Sequence, residues 1–152
     1  MPNDHLIQMF AIVVGQKTQQ MKKQLFAAAV EKKLFNHNMD IKFEKCVPCR
    51  GGIPSLDDKS IEELIENIPS WNVKHESYTY LTKKFQTKNF KQSMNFANLI
   101  FKISEQEGHH PKIVVEFGNI EVLWWTHKIN GLHKNDFIMS AKTDELFKQL
   151  KN

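Results

Sequence analysis

Cysteine is scarce: Cys46 and Cys49 are the only two in 152 residues. Two thiols cannot build a multi-bridge framework, so stability must come from a hydrophobic core, which eleven Phe and three Trp can supply. Long hydrophobic runs are absent as well. None exceeds six residues, as in Met9 to Val14, against the ~20 that span a bilayer, so no membrane span is expected. No Lys or Arg precedes Lys17 and no small-residue cleavage pattern follows the run, which argues against a signal peptide. A cytoplasmic protein with reduced thiols is the expectation. Concentrated charge is also lacking. The formal net charge is +4, but residues 1–38 hold five lysines against Asp4 and Glu31, leaving residues 39–152 with sixteen basic and fifteen acidic groups. A protein that neutralised phosphates would need a cationic stripe in that part, so nucleic-acid binding as the main activity is disfavoured.

What is present falls into an appendage and a domain. Residues 1–38 contain one Gly and one Pro, a Gln/Lys-rich segment from Gln16 to Gln24 and a helix-prone patch from Leu25 to Phe35. They are basic and poor in acid, as organelle-targeting peptides are, yet hold no Arg. From Cys46 the run Cys46-Val47-Pro48-Cys49-Arg50-Gly51-Gly52-Ile53-Pro54 is turn-rich and excludes a regular element. The chain is therefore divided into an extension, 1–44, and one domain, 45–152.

Asp57 precedes Ile61, Leu64, Ile65 and Ile68 on one helical face that Pro69 stops, predicting a helix over 58–67 capped by the Asp side chain. Residues 71–76 and 78–86 alternate aromatic or β-branched with polar residues and read as a hairpin. Residues 87–107 lack Gly and Pro, and Phe90, Met94, Ala97 and Phe101 form one apolar stripe of a long helix. Phe96, Leu99 and Ile103 form a second stripe on its far side, more than a helix lying on one sheet requires, so this back face is expected to meet another subunit. Two further strands, 112–117 and 120–127, join through Gly118-Asn119, and a last helix covers 135–150 with Lys148 and Lys151 near its C-terminus. The order α-β-β-α-β-β-α predicts an α+β fold: a single four-stranded antiparallel sheet with three helices packed on one face.

Four of the seven histidines, His109, His110, His127 and His133, fall within 25 residues, together with Glu105, Glu107 and Asp136. His109-His110-Pro111 follows Gly108, which ends the long helix, while Pro111 forbids its continuation. Adjacent imidazoles on a rigid connection suit a substrate that must gain one proton and lose another; the plainer reading is polar loop residues in solvent. Strand alternation places His127 at the end of the fourth strand, on the face of Leu123 and Trp125, where it reaches a cleft rim. Asp136 lies in the first turn of the last helix, where a carboxylate is favoured whatever its function, and can also orient an imidazole. Glu105 can act likewise. Trp124 and Trp125 point to opposite faces, one for the core and one for a ligand or an interface. A metal site built from these histidines, Asp136 and Cys46-x-x-Cys49 is the rival reading, weakened because adjacent histidines rarely reach one ion.

The run Glu105-Gln-Glu-Gly-His109-His110-Pro111, then Thr126-His127, Gly131-Leu132 and Asp136, resembles the pterin-4a-carbinolamine dehydratase family. The likeness extends upstream through the long helix and Trp71 to Cys46-Val-Pro-Cys-Arg-Gly-Gly, an opening similar to bacterial-type members. One departure is His133, where Ser or Thr is expected to cap the last helix and pair with Asp136 in a capping box. The resemblance implies a hydro-lyase that dehydrates 4a-hydroxytetrahydrobiopterin in tetrahydrobiopterin recycling, with no metal or organic cofactor. It implies His109, His110 and His127 as the catalytic set. Asp136 would support His127, and Glu105, Pro111 and Thr126 would bind or support the pterin. Implied partners are a homodimer or homotetramer and a functional link to an aromatic amino acid hydroxylase. A non-catalytic dimerisation or coactivator module of the same fold is the alternative.

Overall fold

In the computed structural model, residues 18–25, 40–48 and 54–151 are described. The chain divides into two compact units, Met1–Met39 and Asp40–Asn152. In the first, residues 18–25 are helical and exposed; the helix-prone patch read from Leu25 to Phe35 lies, beyond Leu25 itself, outside the described residues, as does Cys49.

The second unit is built on four strands: β1 (Asn72–His75), β2 (Thr79–Gln86), β3 (Lys112–Glu116) and β4 (Asn119–Trp124). They form one antiparallel sheet in the order β1-β2-β4-β3. Alternation sends Leu81 and Phe85 of β2 and Ile120, Val122 and Trp124 of β4 to one face, where they form the core with residues of three helices. These are α1 (Asp58–Ile65), α2 (Phe90–Glu107) and α3 (Lys134–Lys151). The α2 helix packs on β3, β4 and α3; α3 packs on β2 and β4, with α1 beside it. The architecture is the α+β sandwich of helices on one antiparallel sheet read from the sequence. Residues 40–44, read there as part of the extension, belong to this unit, since Ile41 is buried in its core.

Local chemistry sets the boundaries. Asp57 accepts from the Ser60 amide at 2.9 Å and caps α1, while Asn89 accepts from the Gln92 amide at 2.9 Å and caps α2. Gly108 ends α2 in the left-handed conformation, φ 63°, as its position before His109 predicts. The β3–β4 turn is Phe117-Gly118 rather than Gly118-Asn119: Glu116 pairs with Asn119, and Gly118 takes the positive φ of 79°.

Two expectations are corrected. The stripe of α2 that meets the sheet is Ser93, Phe96, Ile100 and Ser104, whereas Phe90, Met94 and Phe101 are exposed, the reverse of the expected facing. Two serines concealed the buried stripe. Both are satisfied locally, Ser104 Oγ by Ile100 O at 2.7 Å and Ser93 Oγ by Thr87 Oγ1 at 2.6 Å, so they can be buried without an orphaned hydroxyl. Second, β4 stops at Trp124, and His127 lies in a short 3-10 turn, His127–Ile129, not on the strand. Thr126 instead pairs with Gly131, its amide donating to Gly131 O at 2.9 Å, and this small closed loop carries His127.

Candidate active site

Three segments converge at one end of the sheet: the exit from α2, the loop after β4 and the start of α3. The exit of α2 turns at Gly108 so that the next residue, His109, enters the interior, where its ring stacks on Trp124 with centroids 5.5 Å apart and planes 11° from parallel. Its Nε2–H donates to Asp136 Oδ1 at 2.6 Å, because a carboxylate partner can only accept. The second carboxylate oxygen, Oδ2, accepts from Thr126 Oγ1 at 3.0 Å and from the His133 amide at 2.7 Å. Asp136 thus ties together all three segments. Its side chain is fully buried and that of His109 is 7% exposed, so the pair is shielded from water and its hydrogen bonds are strong.

Asp136 orients His109 and not His127, which corrects the expected pairing. Nine residues separate Asp136 from His127 and 27 separate it from His109, but the turn at Gly108 brings the distant imidazole in and the Thr126–Gly131 loop leaves the nearer one outside.

His133 caps α3 despite the departure from Ser or Thr. Its Nδ1 accepts from the Asn135 amide at 3.2 Å while its own amide donates to Asp136, so an imidazole nitrogen replaces the hydroxyl of a capping box.

A second histidine–carboxylate pair lies at the surface. His110 Nε2–H donates to Glu105 Oε1 at 2.8 Å, with both side chains more than half exposed. Pro111 follows His110 and leads into β3 at Lys112. His127 is exposed and its ring packs against Trp125 at 4.3 Å, which stacks in turn on Tyr78 at 5.0 Å. Of the two tryptophans, Trp124 is the core residue, its Nε1–H donating to Thr143 Oγ1 at 3.2 Å, and Trp125 supports His127. His110 and His127 each follow a member of the buried cluster, His109 and Thr126, so their Cα atoms lie ~3.8 Å from those of the cluster.

The stacking role of Trp124, and Lys142 and Asn135 near the site, were not singled out from sequence. Glu107 belonged to the noted cluster without an assigned partner. It forms an ion pair with Lys142 and accepts from the Cys46 amide at 2.8 Å. Burial pushes its carboxyl up, but the Lys142 hydrogen bond, the Cys46 amide and the nearby Lys142 and Lys45 charges outweigh it and hold the pKa below the ordinary value. Among the described residues no three His, Cys, Asp or Glu side chains form a group able to hold a metal ion. Among them, too, no helix is long and apolar enough to cross a membrane.

Comparison with known proteins points the same way as the histidine pattern. The family model for pterin 4 alpha carbinolamine dehydratase matches residues 54–146. A curated protein of Saccharophagus degradans, provisionally named pterin-4-alpha-carbinolamine dehydratase, is 45% identical over 71% of this chain and 96% of its own length. One of Chlorobium luteolum with the same provisional name is 46% identical over 70% and 94%. The crystal structure of a transcriptional coactivator/pterin dehydratase from Brucella melitensis superposes with a TM-score of 0.56 over 60% of this chain and 97% of that one, a likeness of fold at 23% identity. A match that runs from before α1 into the second half of α3, joined by bacterial relatives aligned over nearly their whole length, establishes that the chain belongs to the pterin-4-alpha-carbinolamine dehydratase family.

Proposed function

We propose that the chain is a hydro-lyase acting on 4a-hydroxytetrahydropterins, with 4a-hydroxytetrahydrobiopterin as its substrate in tetrahydrobiopterin recycling. The observation that carries this reading is the buried His109–Asp136–Thr126 cluster with an exposed histidine next in sequence to two of its members. Dehydration requires a proton on the departing 4a-oxygen and removal of the hydrogen on N5. The C4a–O bond breaks, the C4a=N5 bond forms, and water and quinonoid dihydropterin are released. No electrons leave the substrate, so one acid and one base suffice.

Asp136 holds His109 in one orientation and, in the neutral ring, leaves Nδ1 as the acceptor facing away from the carboxylate. In this reading His109 binds the pterin or shares its proton, while His110, oriented by Glu105, and His127, supported by Trp125, make the proton transfers. The test is the decay of ultraviolet absorbance of chemically generated 4a-hydroxytetrahydropterin with purified protein. Acceleration above the spontaneous rate is expected; a folded protein that leaves the rate unchanged overturns the proposal and favours the non-catalytic binding module.

The same proposal includes self-association. Phe90, Met94 and Phe101 leave an apolar stripe exposed along an 18-residue helix about 27 Å long, and a second copy presenting the same stripe covers it. Sedimentation at micromolar concentration should show a dimer or tetramer, and Phe101→Glu should shift it toward monomer by about tenfold or more in dissociation constant, the size expected for a charge buried in an apolar contact. A monomeric wild type contradicts this part.

A further inference from the structure

The His109–Asp136 pair joins two segments that have no covalent reason to stay in register, the exit of α2 and the start of α3. A strap formed by residues 44–48 crosses both. The Cys46 amide donates to Glu107 Oε2 at 2.8 Å, two residues before His109. The next residue grips the other segment twice: the Val47 amide donates to Asn135 Oδ1 at 3.1 Å, and Asn135 Nδ2–H donates to Val47 O at 2.7 Å, one residue before Asp136. Glu107 is held from its other oxygen by Lys142 of α3, and Lys134, at the start of α3, pairs with Glu44 at 2.6 Å. Adjacent strap residues therefore hold the neighbours of both members of the buried pair.

Asn135 is fully buried, and its amide presents a donor and an acceptor to the strap backbone as a paired strand would. The strap contact is not the helix cap, which is made by His133 Nδ1 on the Asn135 amide and by Asp136 Oδ2 on the His133 amide. The strap residues Cys46 and Val47 lie outside the 54–146 family match, whereas the residues they grip lie inside it.

We propose that Asn135 and Glu107 are positioning residues: through the strap they set the separation of His109 from Asp136, and hence the orientation of the imidazole that binds the substrate or shares its proton. The inference rests on the hydro-lyase reading for its kinetic consequence, but not for its structural one. A hydrogen bond weakens steeply once its geometry opens, so a displacement of a few tenths of an ångström at the helix ends is enough to loosen the pair.

The test uses full-length protein with 15N-labelled histidine and follows the His109 Nε2–H resonance together with dehydration kinetics. Asn135→Ala should shift or broaden that resonance and lower kcat about tenfold, with KM within about twofold, since misplacing a catalytic group acts mainly on the chemical step. Glu107→Gln, which removes one of the carboxylate's two acceptor positions, should move the resonance in the same direction by less. Ile68→Val, a conservative change of a buried residue, should lower the melting temperature while leaving resonance and kcat unchanged. If Asn135→Ala lowers the melting temperature but alters neither the His109 resonance nor kcat, the strap serves stability alone and the proposal is overturned. Should Asn135→Ala fail to fold, an unmoved resonance in Glu107→Gln overturns it equally. A wild type without dehydratase activity whose His109 resonance still moves in Asn135→Ala overturns the hydro-lyase reading and supports the positioning by the strap.

Discussion

His109–Asp136 and His110–Glu105 are the same chemical pair in two settings. Their contact distances are close, 2.6 and 2.8 Å, but the first pair is 7% and 0% exposed and the second 58% and 57%. In the buried pair both oxygens of the carboxylate accept hydrogen bonds, three in all, so its removal leaves donors without water or partners. In the exposed pair solvent replaces whatever is lost, and its contribution to stability is small. Two consecutive histidines thus divide between a buried position fixed by its carboxylate and a solvent-facing one.

Breaking the buried side should have the largest effect. Asp136→Ala strands the His109, Thr126 and His133 donors, and unfolding in urea should show a loss of about 3–5 kcal/mol, the range for removing one partner of a buried pair. A loss below about 1 kcal/mol would remove the distinction between the two settings. The exposed side should respond in the opposite sense. His110→Ala and His127→Ala should each leave urea stability within about 0.5 kcal/mol, as surface changes usually do, while dehydration falls ~10²-fold or more. The smallest effect concerns Glu107. Its pKa is lowered in the folded state, so it contributes stability that is complete above its unfolded value of about 4.3 and is lost as pH falls through the folded value. Acidification from pH 6 to pH 3 should therefore destabilise the wild type more than Glu107→Gln in urea titrations. Parallel curves would show that the Lys142 and Cys46 contacts do not favour the charged form.

How much of this was legible in the sequence follows from which signals are local. The Asp57 cap, the Gly108 stop and the helix and strand periodicities depend on residues a few positions apart, and the α+β architecture could be read from them. The facing of α2 could not. Periodicity shows that two apolar stripes exist, but the sheet takes the one with two self-satisfied serines and leaves three large apolar residues exposed. The histidine cluster was visible as composition, whereas its internal pairing was not. The family resemblance implied Asp136 with His127, and the left-handed turn at Gly108 and the bridge from Thr126 to Gly131 reverse that choice. The cap by His133 was hidden for another reason: an imidazole accepts through Nδ1 as a hydroxyl does, but the residue-type pattern of a capping box does not include it.

The most direct measurement is the dehydration rate of 4a-hydroxytetrahydropterin with wild type and His110→Ala at equal concentrations of folded protein. The predicted result is acceleration by the wild type and a rate ~10²-fold lower for the variant, at unchanged stability. Equal rates for the two proteins, or no acceleration by either, would contradict the assignment of proton transfer to the exposed histidine beside the buried pair.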